Sequence, residues 1–398
     1  MSGPLSGVRV LDFTSVLLGP FATMILGDMG ADVIKIEAPA GDTTRYVGPA
    51  RHPGMAGGHL ICNRNKRSVV FDLKQPAAVA AVLRLAKTAD VLVHNMRQTA
   101  MDRLGLGCDA LAEANPRLIY CGAYGYSEKG PYAGKPAYDD MIQGAAGLAD
   151  LMRLSSGEPR YMPSVVADKT VGLTVVWAIS MALFNRERTG KGQRVEVPML
   201  ETMAQWVMME HQFGQTFQPP MGGAGYPRLL TANRRPYKTR DGYVCMLAYT
   251  DRHWTKFFEL AGRADLARDP RFADLGSRTT HVDALYGLVG EIVATRTTAE
   301  WVAALETAEI PVMRMGEIAT LHEDPHLAQV GMFPEVEHPT EGAMRQVGIA
   351  VGFSQTPGDL RQPAPRLGEH SVEVLRESGF GTDEINALLA TGALRNAK

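Results

Sequence analysis

One aspartate, Asp168, lies just before the most apolar stretch of the sequence, Val171–Phe184. Such a stretch predicts a helix that is buried on most sides. An aspartate at the start of a helix commonly caps it, because the carboxylate accepts hydrogen bonds from free N–H groups of the first turn. A carboxylate held there, beside the small residues Ala167 and Gly172, can also act as a covalent nucleophile. The two roles are compatible, and the residue types alone leave both open.

Further polar side chains follow the predicted strands, at the carboxyl end of each. These segments are residues 14–18, 72–74, 95–97 and 124–127. Ligands of open α/β sheets bind beyond the carboxyl ends of the strands, so we expect a groove past these segments. Simpler roles are also open for some of the candidates. Lys74, Arg97 and Arg103 could be solvated surface charges, and Tyr138 and Asp139 could be a packed ring and a helix cap.

A histidine pair, His322 and His326, has a spacing that metal sites use. Pro325 disfavours a regular helix that would present both rings on one face, and no third ligand is evident nearby. We therefore expect no metal.

The elements that position these residues alternate between strands and helices. Val8–Phe13 and Ala31–Glu37 are predicted strands on either side of a helix at Pro20–Met29. The alternation repeats, with further strands at Ser68–Leu73, Asp90–His94 and Leu118–Ala123. It predicts a large doubly wound, Rossmann-like α/β domain with a parallel sheet. The first turn, TSVLLGP, lacks G-x-G-x-x-G, which argues against a nicotinamide or flavin dehydrogenase.

Composition divides the rest of the chain. We expect the large domain over residues 1–215, a Gly- and Pro-rich linker and loop over 216–235, a smaller α+β domain over 236–328, and a final segment over 329–398. The apolar run Val171–Phe184 is too short to cross a bilayer, which needs about 20 residues.

The overall charge and the cysteines exclude several classes of protein. With 41 Lys and Arg against 43 Asp and Glu, the net charge of −2 provides no field that would attract nucleic acid or an anionic membrane. The four cysteines form neither C-x-x-C nor a zinc-finger spacing, which fits a reducing cytoplasm. No basic stretch precedes an apolar run at the start of the sequence, so we expect no secretory signal and a cytoplasmic location.

Six segments, in order, resemble the family III CoA-transferases, the CaiB/BaiF group that includes formyl-CoA transferase and carnitine CoA-transferase. They are LDFTSVLLGPFATMILGDMGADVIKIEAPAGDTTR, NRNKRSVVFDLKQP, ADVLVHNMRQTAMDRLGL, GPYAGKPAYDD, the segment around Asp168, and RTGKGQRVEVPMLE. The resemblance implies that coenzyme A is a co-substrate and that Asp168 is the nucleophile. In that family the aspartate forms a mixed anhydride and then an aspartyl-CoA thioester. The family also implies an interlinked homodimer, in which the last segment returns to the large domain.

The resemblance further assigns residues to coenzyme A. They are Val16, Leu17, Asp72, Leu73, Lys74, Asn95, Met96, Arg97, Arg103, Ala137, Tyr138 and Asp139. Leu17 replaces a glutamine of formyl-CoA transferase, which argues against formate as the substrate. Ala38 replaces an arginine of that enzyme, so one phosphate contact there is lost or moved. Gly222 and Gly223 match a mobile glycine loop of related enzymes, and Arg234 and Arg235 follow it. We expect one of these arginines to bind a second carboxylate, so that the substrates are dicarboxylates.

Two other functions remain open at this point. α-Methylacyl-CoA racemases share the superfamily, but their pattern has histidine where this chain has Tyr138, and a phenol with a pKa near 10 is a poor base at neutral pH. A protein that binds acyl-CoA without catalysis is the other. A CoA-transferase is favoured over both.

Overall fold

The structure is a computed structural model that describes residues 3–397. Within that range the strands are β1 (Arg9–Phe13), β2 (Asp32–Glu37), β3 (Lys66–Phe71), β4 (Val91–His94), β5 (Ile119–Tyr124), β6 (Arg194–Pro198), β7 (Tyr237–Lys238), β8 (Tyr243–Met246), β9 (Val312–Arg314), β10 (Glu335–His338), β11 (Gly342–Arg345) and β12 (Leu394–Arg395).

The same range contains seventeen α-helices. They are α1 (Leu18–Asp28), α2 (Gly57–Cys62), α3 (Pro76–Ala86), α4 (Gln98–Arg103), α5 (Cys108–Ala114), α6 (Asp139–Ala145), α7 (Leu148–Ser156), α8 (Val166–Thr189), α9 (Met199–His211), α10 (Pro227–Leu230), α11 (Asp251–Leu260), α12 (Leu275–Thr280), α13 (Val282–Val293), α14 (Thr298–Thr307), α15 (Pro325–Gln329), α16 (Ser371–Glu377) and α17 (Thr382–Ala390).

A seven-stranded sheet has the order β12-β3-β2-β1-β4-β5-β6. Strands β1 to β6 pair in parallel, and β12 pairs antiparallel with β3. The prediction of a large, mostly parallel α/β sheet is therefore confirmed. The order of the six parallel strands is that of a Rossmann fold, and the strand order reverses between β1 and β4. A ligand is expected beyond the carboxyl ends of those two strands.

Successive residues of the central strands enter two different hydrophobic clusters. Val10 and Val91 pack on the face that carries α1 and α8, whereas Leu11 and Leu92 pack on the face that carries α3, α16 and α17. All four side chains are buried, because side chains alternate along a strand and helices cover both faces of the sheet. This explains why these strands are continuous apolar runs in the sequence.

Helix α8 is longer and more exposed than predicted. It has 24 residues and ends at Gly190, whose positive φ of 73° gives the left-handed conformation that stops a helix. One face packs on α1, where a Cβ at Gly172 would lie only 2.9 Å from the carbonyl oxygen of Leu18. The prediction that α8 is buried on most sides is wrong, because its other face is apolar and exposed. That face, called here the α8 stripe, consists of Leu173, Trp177, Met181 and Phe184, which are 53–66% exposed.

By length and composition α8 is also sufficient to cross a membrane. The prediction that the apolar segment is too short was wrong, because the helix extends beyond the run Val171–Phe184 at both ends. In the structure one face of α8 belongs to the core of the sheet unit.

The chain divides into two compact units. The first contains the chain up to Ala146, Pro163–Gln205 and the chain from Pro325 onward; the second contains Gly147–Met162 and Trp206–Asp324. The second unit is built on the three-stranded antiparallel sheet β7-β8-β9 and on a cluster of aromatic side chains from α11 and α14. The first unit holds the seven-stranded sheet and, with it, Asp168.

Candidate active site

Asp168 is the third residue of α8, and only 9% of it is exposed. Val165 occupies the N-cap position and makes no side-chain hydrogen bond to the helix. The expectation that Asp168 caps the helix is therefore wrong, because α8 begins two residues before it, at Val166. In the first turn the carboxylate still lies at the positive end of the helix dipole.

Asp139, the first residue of α6, fixes the backbone at Asp168. Its Oδ1 accepts a hydrogen bond from the N–H of Asp168 (2.9 Å), and its Oδ2 accepts one from Nε2 of Gln143 (2.6 Å). Asp139 and Gln143 are both buried. Two carboxylates that lie 29 residues apart in the sequence are thereby held next to each other.

This arrangement determines the protonation of Asp168. Burial, and then the negative charge of Asp139, raises the pKa of Asp168 to about 7. The positive end of the helix dipole would by itself favour the ionised form of Asp168. Loss of hydration and the like charge of Asp139 outweigh the dipole, which contributes about 1 kcal/mol.

The ends of β1 and β4 are joined by a pair of hydrogen bonds. The N–H of Ser15 donates to Oδ1 of Asn95 (3.0 Å), and Nδ2 of Asn95 donates to the carbonyl of Ser15 (2.7 Å). The next residue, Val16, has a φ of +68°, a strained conformation for a β-branched residue. Its N–H donates to Oδ1 of Asp42 (3.2 Å). The turn between β1 and α1 is thus fixed at the point where the strand order reverses.

A cavity of about 410 Å³ opens at this turn, and Asp168 lines it. It brings together eight residues that the sequence had suggested. They are Val16, Leu17, Asn95, Met96, Arg97, Ala137, Tyr138 and Asp168. Lys135 and Met199 also line this cavity and were not among the candidates. A signal for Lys135 was available, because it lies in the GPYAGKPAYDD segment.

A second cavity, of about 720 Å³, extends along the same edge of the sheet to the ends of β2 and β3. Asp72, Leu73 and Lys74 line it, together with apolar side chains such as Ile36 and Leu104. Ser15 and Met96 line both cavities, so the two are adjacent along this edge, and together they are called the groove. We call its two parts the inner cavity, with Asp168, and the outer cavity, with Lys74.

Arg395 of β12 also lines the outer cavity. Sequence reasoning missed this residue, since it lies more than 300 positions from Lys74 and reaches the groove only because β12 pairs with β3. No local pattern could have revealed it.

Two further candidates lie near the groove without lining either cavity. Arg103 is the last residue of α4 and is exposed, one residue before Leu104 of the outer cavity. Asp139 is buried beneath the inner cavity, where it contacts the backbone of Asp168.

The remaining candidates belong to the second unit. Gly222 and Gly223 are exposed in a loop closed by two hydrogen bonds, from the N–H of Gly214 to the carbonyl of Gly223 (3.2 Å) and from the N–H of Met221 to the carbonyl of Gly214 (3.0 Å).

Arg234 and Arg235 line a separate cavity of about 290 Å³ in the same unit. Arg228 lines it as well and donates from Nε to the hydroxyl of Tyr286 (2.9 Å). No ion pair to any of the three arginines is found among residues 3–397. The cavity therefore suits an anion.

Beneath the outer cavity lies a network of buried charges. Lys35 contacts the carboxylate of Asp42 (3.0 Å), Lys66 contacts that of Asp12 (3.2 Å), and Arg45 contacts that of Glu37 (2.7 Å). These contacts pair each of the three acids with a cation.

Glu37 shows the effect of such pairing on protonation. Burial alone would raise its pKa, but the hydrogen bonds and charge of Arg45 and the charge of Lys35 hold it at about 2. Glu37 is therefore ionised at neutral pH.

No cluster of three or more His, Cys, Asp or Glu side chains suited to a metal ion occurs in the part of the chain that the structure describes.

Comparison with known proteins identifies the family of this chain. The chain matches the model of CoA-transferase family III over residues 5–371. It is 33% identical to succinate–glutarate CoA-transferase of Agrobacterium fabrum, over 94% of this chain and 95% of that protein. It is 30% identical to formyl-CoA:oxalate CoA-transferase of Escherichia coli, over 99% of this chain and 100% of that protein.

A crystal structure of a CaiB/BaiF family protein from Brucella suis matches the fold with a TM-score of 0.80 and 31% identity, over 95% of this chain and 100% of that one. The family resemblance drawn from the sequence segments is thereby confirmed. The chain belongs to CoA-transferase family III and is a CoA-transferase.

Proposed function

We propose that this enzyme transfers CoA between two carboxylic acids, with Asp168 as the covalent nucleophile. The observation that carries the proposal is a buried carboxylate at the inner end of a groove along the carboxyl edge of the sheet. A thioester can reach Asp168 from that groove while the rest of the CoA occupies its length. Binding of the non-reacting part then supplies the approximation that a weak nucleophile needs.

The reaction consists of four balanced steps. The Asp168 carboxylate attacks the donor thioester, which forms a mixed anhydride and releases the CoA thiolate. The thiolate attacks the aspartyl carbonyl of the anhydride, which releases the donor acid and leaves an aspartyl-CoA thioester. The acceptor carboxylate attacks that thioester, which regenerates an anhydride and the thiolate. The thiolate finally attacks the acceptor carbonyl, which yields the new acyl-CoA and free Asp168.

The raised pKa of Asp168 supports this role. A carboxylate with a pKa of about 7 is more basic than an exposed aspartate, and its hydration has already been reduced by burial. Both properties favour attack on a carbonyl carbon once the proton is lost.

The groove also suggests how CoA is oriented. With the thioester at Asp168, the pantetheine arm passes Val16, Asn95 and Met96, and the nucleotide lies in the outer cavity beside Asp72–Lys74. Arg97 and Lys135 at the inner cavity provide cations for the diphosphate.

Dicarboxylic acids are the proposed substrates. The similarity to a succinate–glutarate CoA-transferase supports this choice. The cavity lined by Arg228, Arg234 and Arg235 in the second unit suits an anionic group such as a carboxylate. The test is a panel of mono- and dicarboxylic acceptors of equal chain length. Equal turnover of both classes would reject the proposal.

We further propose a cytoplasmic homodimer. The α8 stripe supports a dimer, since a row of exposed Leu, Trp, Met and Phe side chains gains stability when a second surface covers it. Light scattering at several concentrations tests the oligomeric state, and Trp177→Glu combined with Phe184→Glu tests the surface. Cell fractionation tests the location.

The covalent intermediate is the decisive test of mechanism. The enzyme is incubated with acyl-CoA and quenched with hydroxylamine, and the modified peptide is identified by mass spectrometry. We expect a hydroxamate on Asp168 and none in Asp168→Asn, whereas Asp140→Asn, an exposed neighbour of Asp139, retains the label. Modification at another residue, or exchange of the α-proton without CoA transfer, would contradict the proposal and favour a racemase.

A further inference from the structure

The outer cavity carries two cations that no acid neutralises directly. Lys74 follows β3, and Arg395 ends β12. Among residues 3–397 neither side chain forms an ion pair, although most basic residues near the sheet do. Uncompensated cations at the rim of an apolar cavity are suited to an anionic group on an otherwise apolar ligand.

The position of Arg395 is set by the backbone. Leu394 pairs with Phe71 and Arg395 with Val70, and the N–H of Asp72 donates to the carbonyl of Ala393 (3.0 Å). Leu394 is buried in the core on one side of the sheet, whereas Arg395 is exposed. The backbone pairing of β12 therefore places the guanidinium of Arg395 at the groove, and the side chain itself is not part of the hydrophobic core.

The acidic residues around the outer cavity do not cancel the positive charge of its basic residues. Glu37 and Asp42 line the cavity but are neutralised by Arg45 and Lys35.

Asp72 is the remaining acid. Its carboxylate accepts hydrogen bonds from the side chain of Gln75 and the backbone of Lys74 (both 3.2 Å). Those bonds, and then the charges of Lys74 and Arg395, lower the pKa of Asp72. Lys74 and Arg395 thus face one carboxylate, Asp72, and a net positive charge remains for an anionic ligand.

We propose that Arg395, with Lys74, binds the 3′-phosphate on the ribose of acyl-CoA, so that the final strand completes the nucleotide end of the groove. The proposal rests on the proposed function, because the thioester must lie at Asp168 for the nucleotide to lie at the opposite end. A phosphate dianion matches two cations, and a guanidinium binds phosphate oxygens in a bidentate manner. The apolar walls beside it, Ile36, Leu73 and Leu104, suit the adenine ring.

The test compares an acyl-CoA donor with its 3′-dephospho analogue. For the wild-type enzyme we expect KM for the dephospho donor to be about 10–100-fold higher, the effect of losing charge-assisted hydrogen bonds. In Arg395→Ala the ratio of the two KM values should fall towards one, because only the 3′-phosphorylated donor loses affinity and Lys74 alone remains to bind its phosphate, while kcat stays within about twofold. Arg376→Ala removes an exposed arginine of α16 in the same segment and serves as the matched control, with wild-type discrimination.

Direct binding provides a second measurement. Calorimetry with adenosine 3′,5′-bisphosphate should show weaker binding to Arg395→Ala than to the wild type, and no difference for adenosine 5′-monophosphate. Undiminished discrimination in Arg395→Ala, in an enzyme that transfers CoA, would overturn this inference alone. Absence of transfer by the wild type would instead reject the proposed function, and the binding measurement would still decide the role of Arg395.

Discussion

Two sets of buried carboxylates lie along the same edge of the sheet and have opposite protonation behaviour. Glu37 is 5% exposed and has a pKa of about 2, whereas Asp168 is 9% exposed and has a pKa of about 7. Glu37 forms an ion pair with Arg45, whereas the charged group that shifts the pKa of Asp168 is another carboxylate, Asp139. Burial is therefore similar at the two places, and the partner decides whether a carboxylate is structural or reactive.

The largest expected effect comes from replacing the reactive carboxylate, Asp168. Asp168→Asn should lower the rate of CoA transfer by at least about 10⁴-fold, since a covalent nucleophile has no substitute in the mechanism. Steady-state transfer between two acids measures it, with Asp140→Asn as a control at near wild-type rate. A residual rate above about one per cent of wild type would contradict a nucleophilic role, given the size of that expected loss.

Breaking a structural pair should instead lower stability. Arg45→Met leaves Glu37 buried without its cation and should decrease the free energy of unfolding by about 3–5 kcal/mol at pH 7. In the wild type the paired Glu37 contributes stability that is present above its unfolded pKa of 4.5 and lost as the pH falls towards 2, so the difference should shrink in acid.

The double variant Glu37→Met/Arg45→Met is the control for this loss. It removes both charges and should recover much of the stability, as measured by urea denaturation. If it is as unstable as Arg45→Met, packing rather than charge pairing is responsible.

The reactive carboxylate should, by contrast, destabilise the folded chain. The pKa of Asp168 is about 7 in the folded chain, against an ordinary value of 3.8 for an aspartate in the unfolded chain. Between these two pH values the unfolded chain loses its proton and the folded chain keeps it. The free energy of unfolding therefore decreases as the pH rises through this range. Asp168→Asn should therefore be more stable than the wild type by roughly 2–4 kcal/mol at pH 8 and nearly equal to it at pH 4. Thermal unfolding at the two pH values measures the difference, and a pH-independent change would contradict the pKa assignment.

The smallest effect tests the influence of Asp139 on Asp168. Asp139→Asn keeps an oxygen to accept the N–H of Asp168 but removes the like charge, so the pKa of Asp168 should decrease. The acidic limb of kcat/KM against pH reports this pKa in the free enzyme and should move to lower pH by the same amount. If the acidic limb of kcat/KM does not move, burial alone is responsible for the raised pKa of Asp168.

The sequence predicted the parts of the fold that depend on local patterns. Alternating apolar runs and turns located the parallel strands, and the polar residues that follow them, such as Asn95 and Asp72, line the groove in the structure. These features follow from the period of side chains along a strand and from the position of strand ends, both of which are local.

The features that were missed depend on long-range contacts. The pKa of Asp168 depends on Asp139, and the cation Arg395 reaches the groove through pairing of β12 with β3. The exposure of Trp177 depends on which faces of α8 other elements cover. None of these follows from propensity or periodicity, because each requires knowing which distant segments meet.

The division of the chain also has a consequence for its synthesis. Most of the second unit is a continuous stretch, Trp206–Asp324, which can begin folding as it leaves the ribosome. The sheet unit needs the stretch from Pro325 onward, and its strand β12 is translated more than 300 residues after its partner β3. During that interval β3 is paired with β2 on one side only, and its other edge is open to pairing with other strands.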